Sequence, residues 1–301
     1  MEELKKKLSA FWTDRFRFQL QAFLDILMES YRAFIKDGGF NLSGALAFYT
    51  ILSTIPFLFL LISAASYLFG SSEHVYPTAL SFIDQVFPRA SALIFDEVKS
   101  ISGRAGLLGW VGVLSMIWTA SIIFSSLEFA MGIVFRVERR RNFLKSKMLA
   151  LSMIPASALV FFLSLFVTTF AGVMKTMNLE WLGLNLGGSH ILGFFLGYAL
   201  PYIVLAIAFT TIYKVIPNTP IAFRHAAAGG ASCAFLFEVA KHIFTWYIGR
   251  FSQYSLVYGS LEAIIILVLW AYYSSIILLF NAEVVSAYRR RDVTLLEKAF
   301  L

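Results

Sequence analysis

The chain has 301 residues, of which 59% are hydrophobic and only 14% charged, with a mean hydropathy of +0.75. A soluble domain of this length cannot cover so much apolar surface with so few charges, which excludes a water-soluble globular protein. The net charge of +7 invites a nucleic-acid reading, and the placement of the charges argues against it.

Residues 1–40 read as a cytoplasmic or interfacial amphipathic helix. Leu20, Phe23, Leu24, Leu27, Tyr31, Phe34 and Ile35 recur at helical spacing, and Arg15, Arg17, Asp25, Glu29 and Arg32 occupy much of the remainder. Phe11, Trp12 and Phe16 beside Lys5–Lys7 suit a helix lying in the membrane interface, and docking on a helical bundle fits equally well. The first apolar segment starts behind this charged stretch and is too long for the apolar core of a cleaved signal, so no processing is expected.

Residues 41–288 read as a six-helix transmembrane domain, making the fold class all-α and polytopic. A span needs roughly 20 apolar residues. Asn41–Ser72, Ala105–Leu127, Met148–Met174, Ile191–Tyr213 and Ala263–Ala282 meet that without a charge, and Ala226–Gly249 meets it around Glu238, Lys241 and His242. On the outer side, Ser71–Arg104 carries two short apolar stripes split by Pro88, expected as two short helices across the outer mouth. Lys175–His190 reads as an irregular interfacial turn, and Pro217 and Pro220 end a helix in the inner turn. Residues 289–301 open on Arg289, Arg290 and Arg291 and read as a cytoplasmic basic tail.

Of the 25 Lys and Arg, seven precede Asn41, six lie between spans two and three, two between spans four and five, and four follow the last span. The alternate connections hold five: Arg89, Lys99, Arg104, Lys175 and Arg250. Basic residues stay cytoplasmic during insertion, so both termini are expected there. Such runs meet anionic headgroups rather than nucleic acid, and membrane lipids are the expected partners.

Pro56, Pro155 and Pro201 fall inside three spans as candidate kinks, which either serve packing or open a central cavity. Gly193 and Gly197 form a weak close-contact motif. Glu238, Lys241 and His242 share one helical face at i, i+3 and i+4. A lone charge at mid-bilayer costs about 2.5–3.5 kcal/mol on insertion scales. Glu128, Glu262 and Glu283 sit near span ends. These six residues are read either as a structural ion pair with boundary acids, or as a polar cavity for a headgroup, an ion or a proton.

Signals for enzymatic chemistry are poor. Cys233, the single cysteine, excludes an intrachain disulfide and a thiol cluster. His74, His190, His225 and His242 are scattered, and no phosphate-binding loop, serine-nucleophile elbow or zinc signature occurs. No catalytic residue, metal site or cofactor is expected.

Two stretches carry a family likeness: Asn41–Pro56, and Phe244–Glu283 through the last turn and helix. Ser43-Gly44-Ala45, Tyr254…Tyr258-Gly259-Ser260 and Leu269-Trp270…Asn281-Ala282-Glu283 are its strongest parts. Together they resemble the YihY/BrkB family of bacterial inner-membrane proteins, long labelled ribonuclease BN-like. The resemblance implies six spans, cytoplasmic ends, a role in envelope integrity and the movement of lipids. The expected function is a transporter or flippase-like permease for a lipid or amphiphile. A non-transporting scaffold for envelope assembly is the alternative, and the oligomeric state is left open.

Overall fold

The computed structural model describes residues 21–69, 105–138, 141–153, 199–250 and 262–300. Seven helices and no strand occur among them: α1 (residues 21–36), α2 (Gly39–Phe69), α3 (Ala105–Val134), α4 (residues 143–153), α5 (Leu200–Val215), α6 (Phe223–Arg250) and α7 (Glu262–Phe300). The N-terminal aromatics Phe11, Trp12 and Phe16, the outer connection 71–104, the turn 175–190, Pro155, Gly193 and Gly197 lie outside the described residues.

Within these helices the hydroxyl side chains turn back onto their own backbone. Thr50 Oγ1 donates to Leu46 O at 2.8 Å, Thr119 Oγ1 to Ser115 O at 2.9 Å and Ser275 Oγ to Ala271 O at 2.8 Å. A polar group in hydrocarbon must find its partner inside the protein, and a carbonyl one turn back is the nearest acceptor. The chain breaks between α1 and α2 at Gly38, whose φ of 71° is left-handed. Gly38 O then accepts from Asn41 N at 2.9 Å and Leu42 N at 3.0 Å. Glycine takes that conformation without a side-chain penalty.

Two helices, Trp110–Val134 and Ile264–Asp292, are long and apolar enough to cross a membrane, and only 22% of each one's most apolar window is buried. A core helix of a soluble protein would be largely covered. On α3, Trp110, Leu114, Ile117 and Trp118 instead stand exposed at i, i+4, i+7 and i+8, one stripe facing outward.

α2 pairs with α3 and α5 with α6, while α7 packs on α2, α3 and α6. The glycine pair in α6 sets two of these distances. A Cβ on Gly230 would collide with Thr210 Oγ1 and lie 2.6 Å from Thr210 N and 2.9 Å from Ala206 O, so the obstruction is the backbone of α5. A Cβ on Gly229 would collide with Val285 Cγ2 on α7. Backbones this close allow side chains to bridge neighbouring helices. Tyr202 OH donates to Ala231 O at 3.0 Å, Tyr213 OH to Leu278 O at 2.9 Å, and Ser232 Oγ to Asn281 Oδ1 at 2.9 Å. Ser286 Oγ closes the other side of α7, donating to Val134 O at 2.9 Å.

α7 is one helix of 39 residues. At 1.5 Å per residue it is about 58 Å long, against a hydrocarbon core of about 30 Å. It passes Tyr288 without interruption, so Arg289–Arg291 are helical. α1 docks there: Arg290 Nη2 meets Glu29 Oε1 at 3.0 Å, Arg291 Nη1 donates to Ala22 O at 2.8 Å, and buried Phe34 packs edge-on against Phe280. Residues 21–36 are thus held on the bundle. Phe23, Leu24, Met28, Tyr31 and Ile35 form a second apolar face that stays exposed.

Gly230→Ala is expected to lower stability in detergent by about 1–3 kcal/mol, because a helix backbone must move. Gly229→Ala should be milder and partly reversed by Val285→Ala, since only a side chain obstructs it. Thermal unfolding of the three variants checks this, and an unaffected Gly230→Ala would show that the close crossing is not needed.

Candidate functional site

A cavity of about 570 Å³ opens where the end of α3, the start of α4 and the turn after α5 meet. Each wall follows from local sequence. On α3, Ser121, Ser125 and Glu128 are spaced i, i+4, i+7 and make one polar stripe on an apolar helix. The helix closes with two bonds, Arg136 N to Ile133 O at 3.0 Å and Val137 N to Gly132 O at 2.9 Å, with Arg136 left-handed at φ 51°. That is a Schellman ending with arginine in the place glycine usually takes. It reverses the chain, and α4 then brings Phe143, Ser146 and Lys147 to the cavity. Asn218 arrives from the turn between α5 and α6.

Arg141 fastens the assembly. Its Nη2 donates to Val215 O at 3.1 Å, its Nη1 to Ile216 O at 3.4 Å, and its Nε to Asn218 Oδ1 at 3.2 Å. It thereby caps the last carbonyls of α5 with a positive charge, where the helix dipole favours one. Nη1 also lies 3.8 Å from Glu128 Oε1, and Ser146 Oγ donates to the other oxygen of that carboxylate. Lys147 Nζ donates to Ser121 Oγ at 2.9 Å and Ser125 Oγ at 3.3 Å, and stands 5.6 Å from the centre of the Phe143 ring. No carboxylate pairs with it among the described residues. The lining also includes the apolar side chains of Phe129, Ile133, Val137 and Phe143. A cavity lined by both charged and aromatic side chains suits an amphiphile.

The described residues distribute the sequence-predicted site among three places. Glu128 lines the cavity. Glu238, Lys241 and His242 share one face of α6: Lys241 Nζ is 2.6 Å from Glu238 Oε2, with His242 Nε2 at 4.0 Å. Their side chains are 21%, 47% and 66% exposed, so the face is not sealed inside the described bundle. Glu283 is buried on α7, neither oxygen makes a well-formed hydrogen bond among the described residues, and Asp37, Arg290 and Arg136 are the charges facing it. Glu262 opens α7, and its side chain lies outside the description. Pro56 is buried within α2, and Pro201 stands in the first described turn of α5.

Sequence reasoning missed Arg141, Ser146, Lys147 and Asn218 as a group, reading the two cations as topology signals alone. The stripe Ser121, Ser125, Glu128 was the available clue. It missed a second cluster as well: His225 Nε2 lies 2.8 Å from Asp292 Oδ2, Arg224 pairs with the same carboxylate, and the Tyr288 ring packs on the imidazole. Among the described residues, no three His, Cys, Asp or Glu gather to hold a metal ion.

The family described as Virulence factor BrkB matches residues 30–299. The chain belongs to the BrkB family. A UPF0761 membrane protein of Halorhodospira halophila is 30% identical over 250 residues, 82% of this chain and 53% of that protein. One from Azotobacter vinelandii is 30% identical over 278 residues, 89% of this chain and 64% of that protein. One from Aliivibrio salmonicida is 28% identical over 286 residues, 95% and 90% of the two chains. This BrkB-family chain spans between 53% and 64% of the length of the first five relatives it matches. No solved structure matches it. The relatives' names and the two largely uncovered apolar helices agree that it is a membrane protein.

Arg141→Lys is expected to destabilise the protein by about 1–3 kcal/mol despite keeping the charge, because an ammonium cannot reach three acceptors in the fork geometry. Thermal unfolding of the purified variant tests this, and a wild-type melting temperature would deny Arg141 its fastening role.

Proposed function

We propose that this BrkB-family chain is a six-span protein of the bacterial inner membrane, with both termini in the cytoplasm, acting as a permease for a lipid or amphiphile in envelope maintenance. The cavity beside Glu128 and Lys147 carries the reading. It brings charged and aromatic side chains into one lining, the combination that suits a molecule with a charged head and an apolar body. Arg141 and Lys147 belong to the connection richest in Lys and Arg within residues 41–288, which the positive-inside rule puts at the cytoplasmic leaflet. Glu238, Lys241 and His242 supply a second polar face at mid-helix in α6, and Glu283 and Glu262 supply carboxyls on α7. An ionisable group within a span can mark a transport path. Membrane lipids are the partners, and the reading assigns no catalytic residue, metal or cofactor.

A second reading, a non-transporting scaffold for envelope assembly, draws on the closed packing of Gly229, Val285 and Tyr213 at the centre of the bundle.

An alkaline phosphatase fused after Leu301 is expected to be inactive, and one fused within residues 71–104 active. A strongly active C-terminal fusion overturns the topology.

Vesicles reconstituted with the full chain should move fluorescent phospholipid between leaflets faster than protein-free vesicles, measured by dithionite quenching with and without an imposed pH gradient. Rates equal to those of protein-free vesicles under both conditions refute the permease, and an envelope defect in the deletion strain would then favour the scaffold.

A further inference from the structure

We infer that the cavity at the end of α3 recognises a singly charged phosphate diester, and that Lys147 is the residue that selects it. The inference rests on the amphiphile reading above and deepens it by naming the head.

The charges in the lining decide the class of ligand. Among the described residues, the lining holds two cations, Arg141 and Lys147, and one carboxylate, Glu128. Arg141 is committed to the carbonyls of Val215 and Ile216 and to Asn218, and it also faces Glu128. Glu128 is committed in turn to Arg141 and Ser146. Lys147 is therefore the charge left without an opposite. An ammonium has three donors, and two of them go to Ser121 Oγ and Ser125 Oγ. The third is available to the cavity.

A half-buried ammonium beside an aromatic wall gains most from an anion that replaces its lost water. One excess positive charge matches one negative charge. A phosphate monoester would bring a second, which Glu128 would repel. A zwitterionic head would bring an ammonium of its own, and the only carboxylate in the lining is already paired. Beside Lys147, Phe143 offers apolar surface to the carbon next to the phosphate. The shared chemistry is a phosphoryl monoanion, carried either by a lipid head or by a soluble ester.

The test measures binding to the full chain in detergent by native mass spectrometry. The probes are dihexanoyl phosphatidylglycerol, dihexanoyl phosphatidylcholine and inorganic phosphate. The variants are Lys147→Gln, Lys147→Arg and, as an exposed control outside the lining, Lys145→Gln. Phosphatidylglycerol should bind about tenfold more tightly than phosphatidylcholine, and Lys147→Gln should remove about that factor, equivalent to one charge-assisted hydrogen bond. Lys147→Arg and Lys145→Gln should stay near wild type. Inorganic phosphate, largely a dianion at neutral pH, should bind more weakly than phosphatidylglycerol, and equal binding overturns the diester assignment even where it depends on Lys147. Equal binding of the two lipids by the wild type overturns the inference whatever the variants do, as does unchanged selectivity in a folded Lys147→Gln. Selective binding without translocation refutes the permease and leaves the site standing. Translocation without head-group preference does the reverse.

Discussion

The bundle closes because two adjacent glycines let α6 approach α5 and α7 at once. Gly230 accepts the α5 backbone on one side, and Gly229 accepts Val285 of α7 on the other. Lipid tails are as apolar as leucine, so membrane helices gain nothing from hiding apolar side chains from one another. What holds them is close packing and the polar bonds that close packing permits. The bonds from Tyr202, Tyr213 and Ser232 all bridge helices near this crossing. A larger residue at either glycine would lengthen them before it disturbed anything else.

The helical class and the approximate position of the described helices were legible from apolar length and turn residues. Long uncharged runs allow few alternatives. Helix ends were less legible: α3 continues beyond Leu127 to Val134, and α7 continues beyond Ala282 to Phe300. Hydropathy marks where the solvent changes, and it carries no information about where a helix stops. Gly229 and Gly230 were also passed over, since glycine in an apolar run signals nothing until a neighbouring backbone is known to lie against it. For the N-terminal segment the sequence offered two readings. For residues 21–36 the docked one holds, through Phe34, Glu29 and Ala22.

The candidate site was legible only in part. A charge inside an apolar run is conspicuous, which favoured Glu238, Lys241 and His242. Residues that lie just past a helix end look like ordinary loop charges. Arg141 and Lys147 take their roles from partners far along the chain, Ile216 at 75 positions and Ser121 at 26. Composition and spacing cannot supply such pairings. The same is true of His225 and Asp292, 67 positions apart and in hydrogen-bonding contact.

The length of α7 has a mechanical consequence. It is one unbroken rod pressed against α6 at Val285, with α1 clamped about 8–9 Å further along by Arg290 and Arg291. Taking Val285 as the fulcrum, the arm towards Glu262 is about 35 Å and the arm towards Phe300 about 22 Å. A tilt of about 10° would move the two ends by roughly 6 Å and 4 Å in opposite directions, lengths set by helix rise alone. Because no turn interrupts the rod, neither end can shift without the other. A sideways force applied through α1 at Arg290 and Arg291 is therefore delivered, reversed in sign, to the first residues of α7.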